Sequence, residues 1–337
     1  MKFYKIYLFL LLLATLFSAC EKEIKFKGQV QEPMLVLNGF LTPDSVVSVH
    51  LSQSRFAMNY GTRFPSVEKA KAQLFVNGIL KESLTPAANG NYRGTYYPRV
   101  KDEIEIRVSA AGFPDIKART VIPAAPVFDL ADSTLTYIFK DVTADFPAEK
   151  DVTHALVAQK NNFRLSLKDN PNEENFYFMK AEEYRYANNV LINRYVQRLD
   201  LRKVVKSDTQ GGSSIFDILS EEEDGDLNKT RNMFSDVFVN GKELFFHFEY
   251  QDNMKRIKYL NGKKIEETKS EHEKEYRVSL SNMSKEFYQF VVSSSKAENL
   301  DGNPFAEPVQ VKTNVENGLG ILGAYTAKTF KHRVELY

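Results

Sequence analysis

From Met34 onward, apolar residues recur at every second position, a period that only extended backbone can use to bury one face. Val47, Val49 and Leu51 alternate with Ser48 and His50, and Ile104, Ile106 and Val108 alternate with Glu103, Glu105 and Arg107. Strands of this kind keep one face dry and one wet, which suits antiparallel sheets. Asn77-Gly78 joins two such runs, and both of its positions accept the positive φ that a two-residue hairpin turn requires. Gly90, Gly94 and Ala111-Gly112 punctuate the pattern at short intervals. Residues 33–122 therefore read as a small β-sandwich.

Pro123-Ala124-Ala125-Pro126 interrupts the pattern with a stiff, extended joint, placing a domain boundary at 123–126. Strand patterns resume over 163–167, 176–186, 190–199, 237–239, 243–250 and 276–280, separated by turn signals at Asn188-Asn189, Asn240-Gly241 and Asn261-Gly262. The runs 176–186 and 190–199 meet at a tight tip, which predicts a long hairpin. One helix stands out: Phe287, Phe290 and Val291 share a face, with Ser281 or Asn282 placed to cap the start. It is expected to pack on a sheet or plug a barrel end. The fold class is thus mainly β: a sandwich over 33–122, then a larger antiparallel domain over 127–337, barrel-like or sandwich, with one amphipathic helix. Residues 207–228, rich in Gly, Ser and acids, read as an exposed insertion loop.

The beginning of the chain carries an address. Lys2 and Lys5 precede an uncharged, Leu-rich run of twelve residues, 6–17, closed by Ser18-Ala19-Cys20. Twelve apolar residues are too few to cross a hydrocarbon core of about 30 Å as a helix, so residues 1–19 read as a secretion signal. Phe17-Ser18-Ala19-Cys20 resembles a bacterial lipobox, in which cleavage precedes a lipid-modified cysteine. Cys20 would then carry covalent lipid, and residues 20–32 would form a polar tether to the outer membrane. Two or three acyl chains hold a protein on a bilayer, since each buried methylene contributes about 0.8 kcal/mol. Cys20 is the one cysteine of the chain, which excludes a disulfide framework and a thiolate metal cluster. Lys and Arg total 45 against 44 Asp and Glu, so no bulk field favours nucleic acid.

Several blocks carry a resemblance to the Bacteroidota lipoprotein family known as domain of unknown function 4249. They are Ser18-Ala19-Cys20-Glu21-Lys22, Leu35-Val36-Leu37-Asn38-Gly39, Gly90-Asn91-Tyr92, Asn172-Glu173-Glu174-Asn175-Phe176-Tyr177, Phe234-Ser235-Asp236, Asn303-Pro304-Phe305-Ala306-Glu307-Pro308 and, most specific, Gly318-Leu319-Gly320-Ile321-Leu322-Gly323-Ala324-Tyr325. The resemblance implies an immunoglobulin-like first domain, a β-barrel-like second one, and a gene often near a TonB-dependent receptor. It implies no activity and no catalytic residues.

The residues themselves supply no assembled chemistry. Gly318, Gly320 and Gly323 spell G-x-G-x-x-G, but strand-like residues follow them instead of a helix, so no nucleotide is expected; the glycines read as room for close backbone approach. His272-Glu273 lacks the second His four residues on, where Tyr276 stands, and His50, His154, His247 and His332 are scattered. Asp224, Asp226 and Asn228 have the first three spacings of a calcium loop, but Lys229 and Ser235 stand where its Gly and Glu belong, which leaves only a weak candidate for a looser site. Tyr184, Tyr186 and Tyr195 on the long hairpin form a candidate binding surface. The expectation is a non-catalytic accessory or substrate-capture partner of a TonB-dependent transporter, lipid-anchored to the outer membrane, with no cofactor and no metal. A structural or adhesive surface protein is the alternative, and a hydrolase with an unrecognised site a third.

Overall fold

Alternation in the sequence becomes alternation of burial in the strands. The computed structural model describes residues 32–55, 64–147, 149–205, 232–269, 272–300, 307 and 309–334. In the first part of the chain lie β1 (Leu35–Leu41), β2 (Ser48–Gln53), β3 (Ala70–Val76), β4 (Ile79–Ser83), β5 (Thr85–Pro86), β6 (Asn91–Arg93), β7 (Glu103–Ala110) and β8 (Ile116–Val121). Leu35, Leu37 and Leu41 point inward from β1, and Ile104, Ile106 and Val108 from β7, each essentially closed to solvent. Full burial of such a side chain is worth about 1.5–3 kcal/mol. Asn77 and Gly78 take φ of 51° and 80°, so β3 and β4 form the expected hairpin.

After the proline joint come β9 (Val127–Asp141), β10 (Val152–Lys168), β11 (Phe176–Ala187), β12 (Val190–Gln197), the single turn α1 (Leu201–Val204), β13 (Met233–Ser235), β14 (Glu243–Leu260), β15 (Lys263–Lys269), β16 (Glu273–Met283), α2 (Lys285–Leu300), β17 (Val315–Glu316) and β18 (Leu319–Val334). The long hairpin is β11–β12, with Asn188 and Asn189 at its tip in the left-handed region. Residues 236–238 are a short 3-10 turn instead of the expected strand. The cap of α2 is Ser284, two or three residues later than expected, because Ser281 and Asn282 still belong to β16. The 207–228 stretch lies outside the described residues, as do residues 1–31.

The described residues build three sheets. A nine-stranded sheet runs β12-β11-β16-β18-β1-β2-β6-β5, with β13 on β11; a four-stranded sheet runs β15-β14-β10-β9; a five-stranded sheet runs β17-β8-β7-β3-β4. All three are open, so the larger domain is a sandwich and not the barrel-like form that the resemblance implies. One core lies under β1, β2 and β7 and takes in Val315, Leu322 and Ala324; the other lies between β10 and β14 on one side and β11, β16 and β18 on the other.

The last strand decides how these layers join. The first part of β18 pairs in parallel with β1, from Val36–Leu319 to Leu41–Ala324, and its second part pairs antiparallel with β16, from Met283–Tyr325 to Lys274–Val334. The joint at 123–126 thus divides the chain but not the fold, because residues 315–324 complete the first sandwich. The joint itself is tied down: Thr326 donates its hydroxyl to the Pro123 carbonyl at 2.8 Å, and Asn282 donates to the Ala124 carbonyl at 3.2 Å.

Candidate functional site

The long hairpin brings two of the three expected tyrosines together and separates the third. On β11, Tyr184 and Tyr186 share the outer face of the large sheet, two residues apart. Tyr195 of β12 lies opposite Glu183, one position out of step, and so faces the other side. The tyrosines therefore do not form a single stacking platform, which corrects the reading of 184, 186 and 195 as one surface. Each ring is already engaged by a guanidinium: Arg277 stands 3.8 Å from the Tyr184 centroid, Arg333 5.3 Å from Tyr186 and Arg185 4.5 Å from Tyr195.

On the outer face this gives a cross-strand ladder of Arg194, Tyr184, Arg277 and Tyr186, with Arg277 also donating to the Tyr186 hydroxyl at 3.3 Å. Cation–π pairs of this kind contribute about 0.5–2 kcal/mol. Carboxylates balance the arginines: Glu275 pairs with Arg277, Glu273 with Arg333, and Glu182 with Lys180 and Arg194. Burial opposes ionisation of Glu182, but hydrogen bonds from Lys180 and Arg194 outweigh it and hold the carboxyl below its usual range. The face is rich in Tyr and Arg, the side chains that dominate protein interfaces, and carries little net charge.

Beside this face runs an unguarded edge. Among the described residues β12 is the outermost strand of its sheet, and Val190, Leu191, Ile192 and Val196 are about half to two-thirds exposed along it. Its one charged residue is Arg194. The edge strand β15 of the facing sheet, in contrast, carries Lys263, Lys264, Glu266, Glu267 and Lys269, the charge pattern that keeps edges from pairing. A second unguarded edge is β9, where Leu135, Tyr137 and Phe139 stand exposed although they share the face of the buried Asn161, Gln159 and Val157 on β10.

Two buried polar groups hold these surfaces in place. Between the sheets, Asp252 is 3% exposed and accepts from Lys274 Nζ at 2.7 Å and the Tyr276 hydroxyl at 2.6 Å. Burial and the bond to Asp252 push the Tyr276 hydroxyl far above its ordinary pKa, so it stays protonated and donates to Asp252. At the junction of the sandwiches, Asn282 Nδ2 donates to Asn175 Oδ1 at 2.8 Å while the Asn175 amide donates to Asp236 at 2.7 Å. A cleft of about 280 Å3 opens here, rimmed by the pairs Lys101–Glu173 and Lys285–Glu174. Burial raises the Asp236 pKa against the Asn175 bonds, and the charge of Asp169 adds to the rise.

The remaining sequence candidates fall apart spatially or lie elsewhere. Gly320 takes φ +101° with its Cα facing the Leu37 carbonyl, and a Cβ on Gly318 would stand 2.8 Å from the Leu35 carbonyl oxygen, so both serve the close parallel pairing with β1. A Cβ on Gly323 would meet the Phe287 ring at 2.7 Å; this is how α2 seats on the sheet. Among the described residues no three His, Cys, Asp or Glu side chains group as metal ligands. Cys20 and the acidic trio Asp224, Asp226 and Asn228 lie outside the described residues. Sequence reasoning missed the arginines around these two rings, Arg194, Arg277 and Arg333, since they come from three different strands and no local pattern joins them.

A family profile spans residues 21–331, nearly the whole chain. The chain belongs to the domain of unknown function (DUF4249) family. The blocks of this DUF4249 chain that meet at the junction, 172–177 and 234–236, build its Asn175–Asp236 contact. No curated protein matches the chain. A solved structure from Corynebacterium diphtheriae, described as a membrane-anchored protein, is similar at 13% identity and a TM-score of 0.21, over 74% of this chain and 54% of that one. The chain thus spans about half the length of that protein. No helix among the described residues is long and apolar enough to cross a membrane.

Proposed function

We propose that this protein is a non-catalytic accessory lipoprotein, held on the outer membrane by lipid on Cys20, that docks on a TonB-dependent transporter and helps present its substrate. The observation that carries the docking part is the unguarded β12 edge beside the Tyr184–Arg277 ladder. An open edge offers unpaired amides and carbonyls to a partner strand, and a Tyr/Arg face supplies rigid, amphipathic contact at small conformational cost. The family resemblance names the transporter, and the lipobox-like 17–20 segment names the anchor. The shared strand β18 supports a carrier that moves as one piece instead of a hinged pair.

The test is a mild-detergent pull-down of the tagged protein from its native outer membrane, with a Cys20→Ala control. Near-equal recovery of a large transporter with the wild type, and its loss with Cys20→Ala, is the expected result. Recovery of the lipoprotein alone, under conditions that keep other membrane complexes intact, overturns the proposal in favour of an adhesive role.

A further inference from the structure

β9 closes one side of the four-stranded sheet, and among the described residues no strand covers its outer edge. An antiparallel strand turns the amide and carbonyl of every second residue away from its neighbour, so this edge presents unpaired backbone along its length. An extra residue at Ala131 interrupts the pairing with β10, where Arg164 faces Asp132 and Leu165 faces Leu130. Beyond that bulge, residues from Asp132 to Asp141 pair with β10 without a break. On the face that this stretch shares with Gln159 and Val157, Leu135 and Tyr137 are each 50% exposed and Phe139 72%. The other face carries Thr134, Thr136 and Ile138 between Asp132 and Lys140.

This edge complements itself. When two copies of a strand pair antiparallel across a two-fold axis normal to the sheet, each residue meets one from the same face, and every contact occurs twice. An axis at Thr136 sets Asp132 against Lys140 of the second copy, at both ends of the regular stretch. The same register sets Leu135 against Tyr137 and Thr134 against Ile138. Moving the axis to Leu135 sets Asp132 against Ile138, and moving it to Tyr137 sets Lys140 against Thr134, so both neighbouring registers lose the charge match. Lys140 has no carboxylate partner among the described residues. Asp132 meets Arg164 at 2.6 Å through one oxygen, and a carboxylate has a second oxygen for another cation. β12, in contrast, carries Arg194 and no acid, so it has no such match to itself.

We propose that β9 pairs with β9 of a second copy of this chain, joining the two four-stranded sheets into one continuous sheet with its axis at Thr136. Aliphatic–aromatic pairs and opposite charges set directly across a ladder are the contacts that stabilise neighbouring strands. The inference stands apart from the transporter reading, because β12 lies in a different sheet and self-association is measured on the isolated chain.

The experiment is mild oxidation of single-cysteine variants of the purified full chain, made in a Cys20→Ala background and read by non-reducing electrophoresis. Residues on the axis have Cα atoms about 4.5–5.5 Å apart, within disulfide reach, whereas Thr134 and its copy stand roughly 13 Å apart along the strands. Thr136→Cys is therefore expected to give a covalent dimer, and Thr134→Cys or Ile138→Cys alone none, while a mixture of those two cross-links. Sedimentation of the Cys20→Ala chain should show a reversible dimer. Thr136→Lys should abolish it by setting two cations on the axis, and Lys140→Glu should weaken it about tenfold. Both positions are exposed, so unchanged circular dichroism is expected. Cross-linking at Thr134 alone as fast as at Thr136, or a dimer undiminished by Thr136→Lys, would overturn the proposal. A monomer at every concentration up to about 0.5 mM, with no cross-link at Thr136, would overturn it too and leave the β9 edge to a strand of another protein.

Discussion

At Gly320 one hydrogen atom in place of a side chain lets two strands from opposite ends of the chain run side by side. Its φ of +101° is reserved in practice for glycine, and any Cβ would overlap the Leu37 carbonyl oxygen. Gly320→Ala should cost about 3 kcal/mol, from backbone strain and overpacking together, read as a lowered urea midpoint with unchanged slope. A loss below about 0.5 kcal/mol would mean that β1 and β18 do not pair this closely. The G-x-G-x-x-G spacing was legible as room for approach instead of a phosphate cradle, because residues 326–334 have strand composition. What the spacing left open was the neighbour: Leu35 and Leu37 lie almost three hundred positions away.

Elements were legible wherever one face is dry. β7, β11 and the hairpin tip at Asn188-Asn189 follow from alternation and from residues that accept positive φ. β9 escaped because it is an edge with both faces largely wet, so no alternation marks it. Residues 237–239 misled for the opposite reason: three residues of strand composition sit where Asp236, held by Asn175, turns the chain. The edges carry the functional claim at this scale. Val190→Lys with Val196→Lys would guard β12 as lysines guard β15, and because both sites are exposed the stability should change by no more than about 0.5 kcal/mol. Co-recovery of the transporter should fall sharply in the same pull-down. Undiminished recovery would place the docking surface elsewhere.

Across the whole molecule, β18 makes two sandwiches into one unit, since unpairing it from β1 also disturbs its register with β16. Heat unfolding of the full chain should therefore be a single transition with calorimetric and van't Hoff enthalpies in agreement, despite a length ordinary for two domains. Two resolved transitions would show that the sandwiches fold independently. Taken alone, the sequence determined the β class, the proline joint and the tight turns, because period, φ preference and ring geometry act within a few residues. Tertiary structure decided which strand closes which sheet, that Tyr184 and Tyr186 part from Tyr195, and that Glu82 and Asp102 accept from the amides of Thr95, Tyr96 and Arg99. Those outcomes depend on strand register and on burial between distant segments, and neither quantity is defined until the chain has folded.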